Sequence, residues 1–372
     1  MARFSDLRIL MTADAVGGVW TYATALACAF AARGADVHLV VQGPAPTPAQ
    51  RSMIAGTSVR CVESPLALEW QDPAGETMGA ARQFHAALEK KLRPDIVHLN
   101  SFREASFDWQ CPVLVAAHSC VNSWAKACDD MGWLWDGKWR CYSKHVAAGL
   151  QHATAWVCPT HAFRDIMLDL YRPRSAGFVI WNGSPRQTRD IGSKEPMILA
   201  AGRMWDAAKN LSALEQAAKG LEWPVLVAGS TVDIASDPAI RQLGALSHAE
   251  LNQLMQRAAI FTSPARYEPF GLAVLEAAAA GCALVLADIP TFRELWNDAA
   301  LFIDPSDTRA LHCALADLCA NTAERSRLQQ AARLRSRRYA QRRMVDSYAA
   351  LYQSLLAADA RPRSGATIEV FA

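Results

Sequence analysis

The sequence predicts an α/β chain built as two successive, doubly wound parallel sheets. Short apolar runs alternate with helix-length amphipathic segments almost throughout, which is the pattern of βαβ units. The alternation breaks once, between Asn182 and Pro196, and then restarts. The length, 372 residues, accommodates two domains of ordinary size.

The elements follow in order. Residues 7–12 form a first strand, and a helix of about four turns runs over 19–33 until Gly34 stops it. Strands follow at 37–41 and 59–62, then a helix at 76–92. Pro94-Asp95 opens a strand at 96–99, and further strands lie at 113–117 and 155–158 with a long segment between them. A helix over 161–171 leads to a strand at 178–181. The stretch from Asn182 to Pro196 has Asn-Gly, two prolines and no apolar period, so it reads as an interdomain linker. Strands at 197–201 and 225–228 then flank a helix at 211–219. A helix at 248–258 precedes a strand at 260–263. The longest apolar run, 270–287, is broken by Glu276 and Gly281 and reads as a helix then a strand, not a membrane span. Beyond Ser306 the chain is helical to about 358. The domains expected are therefore 1–182, 183–340, a returning helix at 341–358 and a tail at 359–372.

Composition excludes several classes. Hydrophobic residues make up 51% and charged residues 20%, which suits a globular chain and not a disordered one. The formal net charge is only +2, far from a dedicated nucleic-acid binder. Ten scattered cysteines form no CxxC pair and the N-terminal residues lack a signal-peptide layout, so reduced thiols in a cytoplasmic protein are expected. No HExxH is present. A GxxxxGK match at Gly132–Lys138 has Trp139 where a phosphate loop needs Ser or Thr, and no strand precedes it.

Four constellations carry chemistry. In the segment 265–281, Glu268 and Glu276 stand eight residues apart, and Gly271-Leu272 opens a helix whose free N–H groups make an anion site. Such carboxylates can hold different hydroxyls of one ligand, or Glu268 can simply stabilise the helix end. Arg203 and Lys209 follow the strand ending at Gly202 and can grip a diphosphate, one as a fork and one as a point charge. Gly17-Gly18 forms a turn after the first strand that admits a ligand near the backbone. His118 ends another strand, where ligands bind in open α/β sheets.

Together these residues resemble the retaining glycosyltransferases of family 4, with the GT-B fold. The E-x7-E pattern at Glu268–Glu276 with Pro-Phe-Gly-Leu inside, Gly202-Arg203 with Lys209, Gly17-Gly18, and Asn182-Gly183 at the hinge carry the resemblance over about residues 5–355. Trp181 departs from the proline usual before that hinge. The resemblance implies two Rossmann-like domains facing across a cleft, with C-terminal helices crossing back. It implies that Glu276 binds the donor ribose, Glu268 the donor sugar, and Arg203 and Lys209 the diphosphate, aided by amides at Gly271 and Leu272. His118 is implied to lie near the transferred sugar and Leu246 near the base. No paired-Asp motif demands a metal, so neither metal nor cofactor is expected. A nucleotide-sugar epimerase, or a non-catalytic sugar-nucleotide-binding subunit, fits the same pattern.

Two features stand outside that set. Trp133 and Trp135 lie among clustered tryptophans after His118, and aromatic faces suit sugar rings, so they are candidates for an acceptor site. The segment 325–343 holds eight arginines and no acid, leaving 30 Lys+Arg against 36 Asp+Glu elsewhere. The body is thus −6 and the segment strongly basic. That segment reads either as a solvated helix or as a contact with an anionic membrane surface.

Overall fold

The computed structural model describes residues 4–5, 7–185, 193–230 and 239–359. Part of the expected linker, 186–192, and the tail from 360 lie outside the described residues.

The first sheet takes its strands from β1 (Arg8–Asp14), β2 (Asp36–Gln42), β3 (Arg60–Glu63), β4 (Ile96–Leu99), β5 (Val113–Ala116), β6 (Ala155–Cys158) and β7 (Phe178–Val179). The helices between them are α1 (Gly18–Ala31), α2 (Pro48–Ser52), α3 (Met78–Leu92), α4 (Val121–Ala127), α5 (Gly137–His152) and α6 (His161–Tyr171). The second sheet contains β8 (Glu195–Ala201), β9 (Val225–Ala228), β10 (Ile240–Gly244), β11 (Ala258–Ser263), β12 (Ala283–Ala287) and β13 (Leu301–Ile303). Its helices are α7 (Leu211–Ala218), α8 (His248–Arg257), α9 (Leu272–Ala279), α10 (Pro290–Trp296), α11 (Thr308–Ala320) and α12 (Thr322–Ser336), and α13 (Gln341–Asp359) ends the described chain.

All ladders are parallel, in the orders β3-β2-β1-β4-β5-β6-β7 and β10-β9-β8-β11-β12-β13. Central strands such as β4, β5 and β9 are fully buried runs, because helices cover both faces. Each strand order reverses once, between β1 and β4 and between β8 and β11. The crevice beyond the carboxyl ends of those strand pairs is where such sheets take ligands.

The structure adds elements that the periodicity does not show. The long segment between β5 and β6 holds α4 and α5, and β10, α10 and β13 are short pieces between better-defined neighbours. Although α13 follows the second sheet, it packs on the first. Met344, Val345, Tyr348, Leu351, Tyr352 and Leu355 are buried there with Phe30 and Leu39, and the Tyr352 ring stacks on Phe30 at 4.9 Å. Each such side chain contributes roughly 1.5–3 kcal/mol on burial, enough for this return crossing to tie the two halves together. A backbone bridge from Ser184 to Ala340 joins the two chain crossings.

Candidate active site between the two sheets

The second sheet's crevice is lined by two loops. One follows β8 and carries Arg203 to Asn210; the other follows β11 and carries Pro264 to Gly271. Backbone and side chain knit them together. Arg266 N donates to Ala208 O at 2.8 Å, and Asn210 Nδ2 donates to Pro264 O at 3.0 Å and to Pro305 O at 2.8 Å. Asn210 is left-handed at φ 57°, a conformation that Asn tolerates. This lacing sets Lys209 against Glu268, and the two form an ion pair with both side chains mostly shielded from water.

Arg203 is held differently. Its guanidinium is 3.3 Å from Asp206 and lies over the Trp205 ring, 5.7 Å from the centroid. Gly271 closes the second loop at φ 84°, and a Cβ there would stand 3.0 Å from Phe292 and 3.3 Å from Glu268 Cγ. No side chain caps α9, so the amides of its first turn stay available to an anion. Further along α9, Glu276 is largely buried. Burial raises its carboxyl above the usual range, opposed by His248, whose Nδ1 is 3.9 Å away. Leu246 is half-buried two residues before His248.

The first sheet's crevice faces these loops. A Cβ on Gly17 would stand 2.8 Å from Arg203 Nη1, and one on Gly18 3.3 Å from Leu272 Cδ1. The glycine turn is therefore in contact with the far wall, and bare backbone is what lets it approach. Asp14 accepts from Val16 N at 2.9 Å; burial raises its pKa, while that amide and the nearby Arg203 pull it down.

His118 follows β5. Its Nε2 is 2.7 Å from Asn100 Oδ1. The Asn100 amide is oriented at its other end, where Nδ2 donates to Thr12 O at 2.6 Å. Nε2 therefore carries the hydrogen, and Nδ1 is left as an acceptor. Burial pushes the His118 pKa down to about 4, so the ring is neutral near pH 7. Tyr22 meets it edge-on at 4.5 Å.

Three contacts lock the walls together. Ser123 Oγ and Tyr267 OH are 2.7 Å apart, Thr160 Oγ1 donates to Pro269 O at 3.0 Å, and Trp124 Nε1 donates to Asp206 Oδ1 at 2.8 Å. They grip the Glu268 loop from both sides and the Arg203 loop through Asp206. Among the sequence candidates, the structure thus brings together Gly17, Gly18, Arg203, Lys209, Glu268, Gly271 and Leu272. His118, Glu276 and Leu246 occupy the flanks. Trp133 sits in a packed ladder, 6.2 Å from Trp124 and 4.8 Å from Trp139, whereas Trp135 is 79% exposed.

Asn100, Asp206, Tyr267, Tyr22 and His248 were not singled out from sequence. Asn100 and Asp206 could have been suspected, since each lies just past a strand at a reversal of strand order. Tyr267 acts across 144 residues, and nothing in the sequence marks such a partner.

Comparison with known proteins agrees with this architecture. A family model described as "Glycosyltransferase Family 4" matches residues 16–185, and one described as "Glycosyl transferases group 1" matches residues 185–335. A glycogen synthase from Mycobacterium tuberculosis is 25% identical over 377 aligned residues, covering 88% of this chain and 90% of that protein. A GDP-mannose:cellobiosyl-diphosphopolyprenol alpha-mannosyltransferase from Komagataeibacter xylinus is 30% identical over 213 residues, covering 50% and 54%. The structure of sucrose-phosphate synthase from Thermosynechococcus elongatus superposes with a TM-score of 0.78 at 19% identity, over 95% of this chain and all of that one. With one family model matched on each half and this shared two-sheet architecture, the chain is a glycosyltransferase of the GT-B fold.

Proposed function

We propose that the enzyme moves a hexosyl group from a nucleoside-diphosphate sugar to an acceptor hydroxyl, with retention of anomeric configuration. The observation that carries this reading is the meeting of Arg203, Lys209 and the uncapped start of α9 at one reversal of strand order. The relatives' names point the same way: one is a glycogen synthase and another takes GDP-mannose.

The chemistry follows from charge. The anomeric carbon–oxygen bond to the phosphate breaks as the acceptor oxygen bonds that carbon. Negative charge grows on the departing phosphate while the sugar becomes oxocarbenium-like. Cations and amides already aimed at that phosphate stabilise this state without reorganising, commonly the largest part of catalysis. A lysine and a phosphate charge about 4 Å apart interact by roughly 4 kcal/mol at an effective dielectric of 20. On this reading Lys209 exchanges Glu268 for the diphosphate, which frees the Glu268 carboxylate to bind sugar hydroxyls. Glu276 takes the ribose and Leu246 lies by the base. We assign no metal to the reaction, because the protein's own cations meet the charge that a metal ion would otherwise meet.

With its pKa pushed down to about 4 by burial, His118 is too weak a base to take the acceptor's proton at neutral pH. Its free Nδ1 accepts a hydrogen bond from the sugar instead, and the acceptor proton leaves on the phosphate oxygen. This arrangement suits attack on the face from which the phosphate departs. The acceptor enters beside the segment after His118, where Trp133 and Trp135 are the candidate aromatic contacts. The test is a thermal-shift screen of nucleotide sugars, followed by transfer assays on the donor that stabilises most. Donor binding followed by epimerisation, with no transfer to any acceptor, would overturn the reading.

A further inference from the structure

The arginine-rich segment does not form one surface. Arg325 turns inward: Nη1 donates to Leu318 O at 2.6 Å and Cys319 O at 3.1 Å, and its guanidinium lies 4.8 Å over the Trp223 ring. Arg327 pairs with Glu324, and Arg335 donates to Leu295 O at 3.1 Å. These three serve the fold.

Of the other five, Arg333 is half-buried and four face outward. Arg337, Arg338, Arg342 and Arg343 are all exposed. Arg342 reaches Asp346 only at 3.6 Å, and among the described residues no acidic side chain pairs with Arg337, Arg338 or Arg343. Leu334 is 64% exposed in their midst. Residues 334, 337 and 338 are spaced i, i+3 and i+4, so they share one face of the end of α12 and the turn after it. Trp181, on the other chain crossing, lies against the same turn. It is 40% exposed and meets Tyr339 edge-on at 5.4 Å, with its indole N–H tied to Glu294 at 3.2 Å.

We infer that this face, formed by Leu334, Trp181 and the arginines 337, 338, 342 and 343, docks the enzyme on an anionic lipid bilayer. A bare apolar residue and an indole near guanidinium groups, three of the four without an acidic partner among the described residues, match a headgroup layer, where phosphates meet the cations and the boundary accepts the apolar groups. A soluble polyanion would reward the arginines alone and leave Leu334 without a role. Guanidinium forks also bind phosphate oxygens in pairs, which suits phospholipid headgroups. Because the face spans both chain crossings, 181–184 and 339–341, it lies at the hinge and not on the site residues described above. Docking there is independent of the sugar-transfer reading.

The test is co-flotation of the full chain with vesicles of phosphatidylcholine alone or mixed with phosphatidylglycerol. The wild type floats with the mixed vesicles and not with the neutral ones, and the Arg337→Glu/Arg338→Glu variant loses on the order of 5-fold or more in partitioning per arginine. Leu334→Ser weakens flotation while leaving heparin binding unchanged. An unchanged melting temperature in both variants shows that the fold is intact. Equal flotation with both vesicle types, undiminished flotation of the arginine variant, or heparin binding without vesicle binding would each overturn the inference.

Discussion

The two walls of the cleft are built from the same kind of sheet and carry opposite chemistry. The wall from the first sheet presents groups held neutral or bare: His118 at about 4, Asn100, and the Gly17-Gly18 turn. The wall from the second sheet presents Arg203, Lys209, Glu268 and Glu276, with an uncapped helix end. Both sets follow strands at or beside a reversal of strand order, so topology alone does not separate them. His118 is buried with a neutral partner, Asn100, while on the second wall Arg203 pairs with Asp206 and Lys209 with Glu268. On the proposed reading, the charged wall takes the diphosphate, and Glu268 from that wall and His118 from the other both meet the sugar.

The most severe way to break this comparison is to remove a cation from the charged wall. Arg203→Ala or Lys209→Ala is expected to lower kcat/KM by roughly 10²–10³, the size seen when one preorganised charge-stabilising donor is lost. Steady-state kinetics with the donor from the screen check it, with the exposed Asp169→Asn variant as a surface-charge control expected to be neutral.

A smaller effect is expected at the helix end. Gly271→Ala forces a side chain into a left-handed conformation against Phe292 and should destabilise the fold by about 1–2 kcal/mol. Its donor KM should rise as the α9 amides shift, and denaturant titration with donor titration measures both.

On the neutral wall the sharpening experiment is pH. The folded-state pKa of His118, about 4, lies below the ordinary imidazole value of 6.5. The unfolded chain therefore binds a proton between those values that the folded protein does not. The associated stability is full above about pH 6.5 and falls as pH drops toward 4, by about 1.4 kcal/mol per pH unit. His98, pushed down to about 3 by burial, acts in the same direction. Glu69, raised to about 8 by burial, acts oppositely, being protonated in the folded state between 4.5 and 8. The His118 share is read as the difference between wild type and His118→Asn. That difference should shift against the wild type as pH falls from 6.5 to 4.5, and a pH-independent difference would refute the neutral assignment.

The smallest effect is expected at the far end of the same wall. Tyr352 OH on α13 is 2.6 Å from His98 Nδ1, and His98 Nε2 is 3.3 Å from Tyr22 OH. Tyr22 in turn packs edge-on against His118, so the returning helix reaches His118 through two hydrogen bonds and one ring contact. Tyr352→Phe should cost about 0.5–1.5 kcal/mol of stability. It should lower kcat by a few-fold with donor KM unchanged; an altered KM with unchanged kcat would contradict a positioning role.

The charged wall was the more legible of the two. A strand ending in Gly-Arg, a lysine six residues on, and two glutamates flanking a glycine at a helix start are local patterns, and local patterns survive in a sequence. The neutral wall was legible only as His118 and Gly-Gly. Its chemistry depends on Asn100 and Tyr22, which lie 18 and 96 residues from His118 and come together only in the folded sheet. The helices α4 and α5 went unread because tryptophans blur the apolar period there. In β10 a mixed burial pattern hid the strand, and β13 is only three residues long. Trp124, not singled out for the site, turned out to hold Asp206 across the cleft.

The division of labour between the walls is tested most directly by calorimetric binding of the matching nucleoside and nucleoside diphosphate to wild type and Lys209→Ala. The account predicts that the substitution erases about ten-fold or more of the diphosphate's advantage, given roughly 1.4 kcal/mol per factor of ten, and leaves nucleoside affinity unchanged. An equal loss for both ligands, or none for either, would contradict the assignment of the diphosphate to the charged wall.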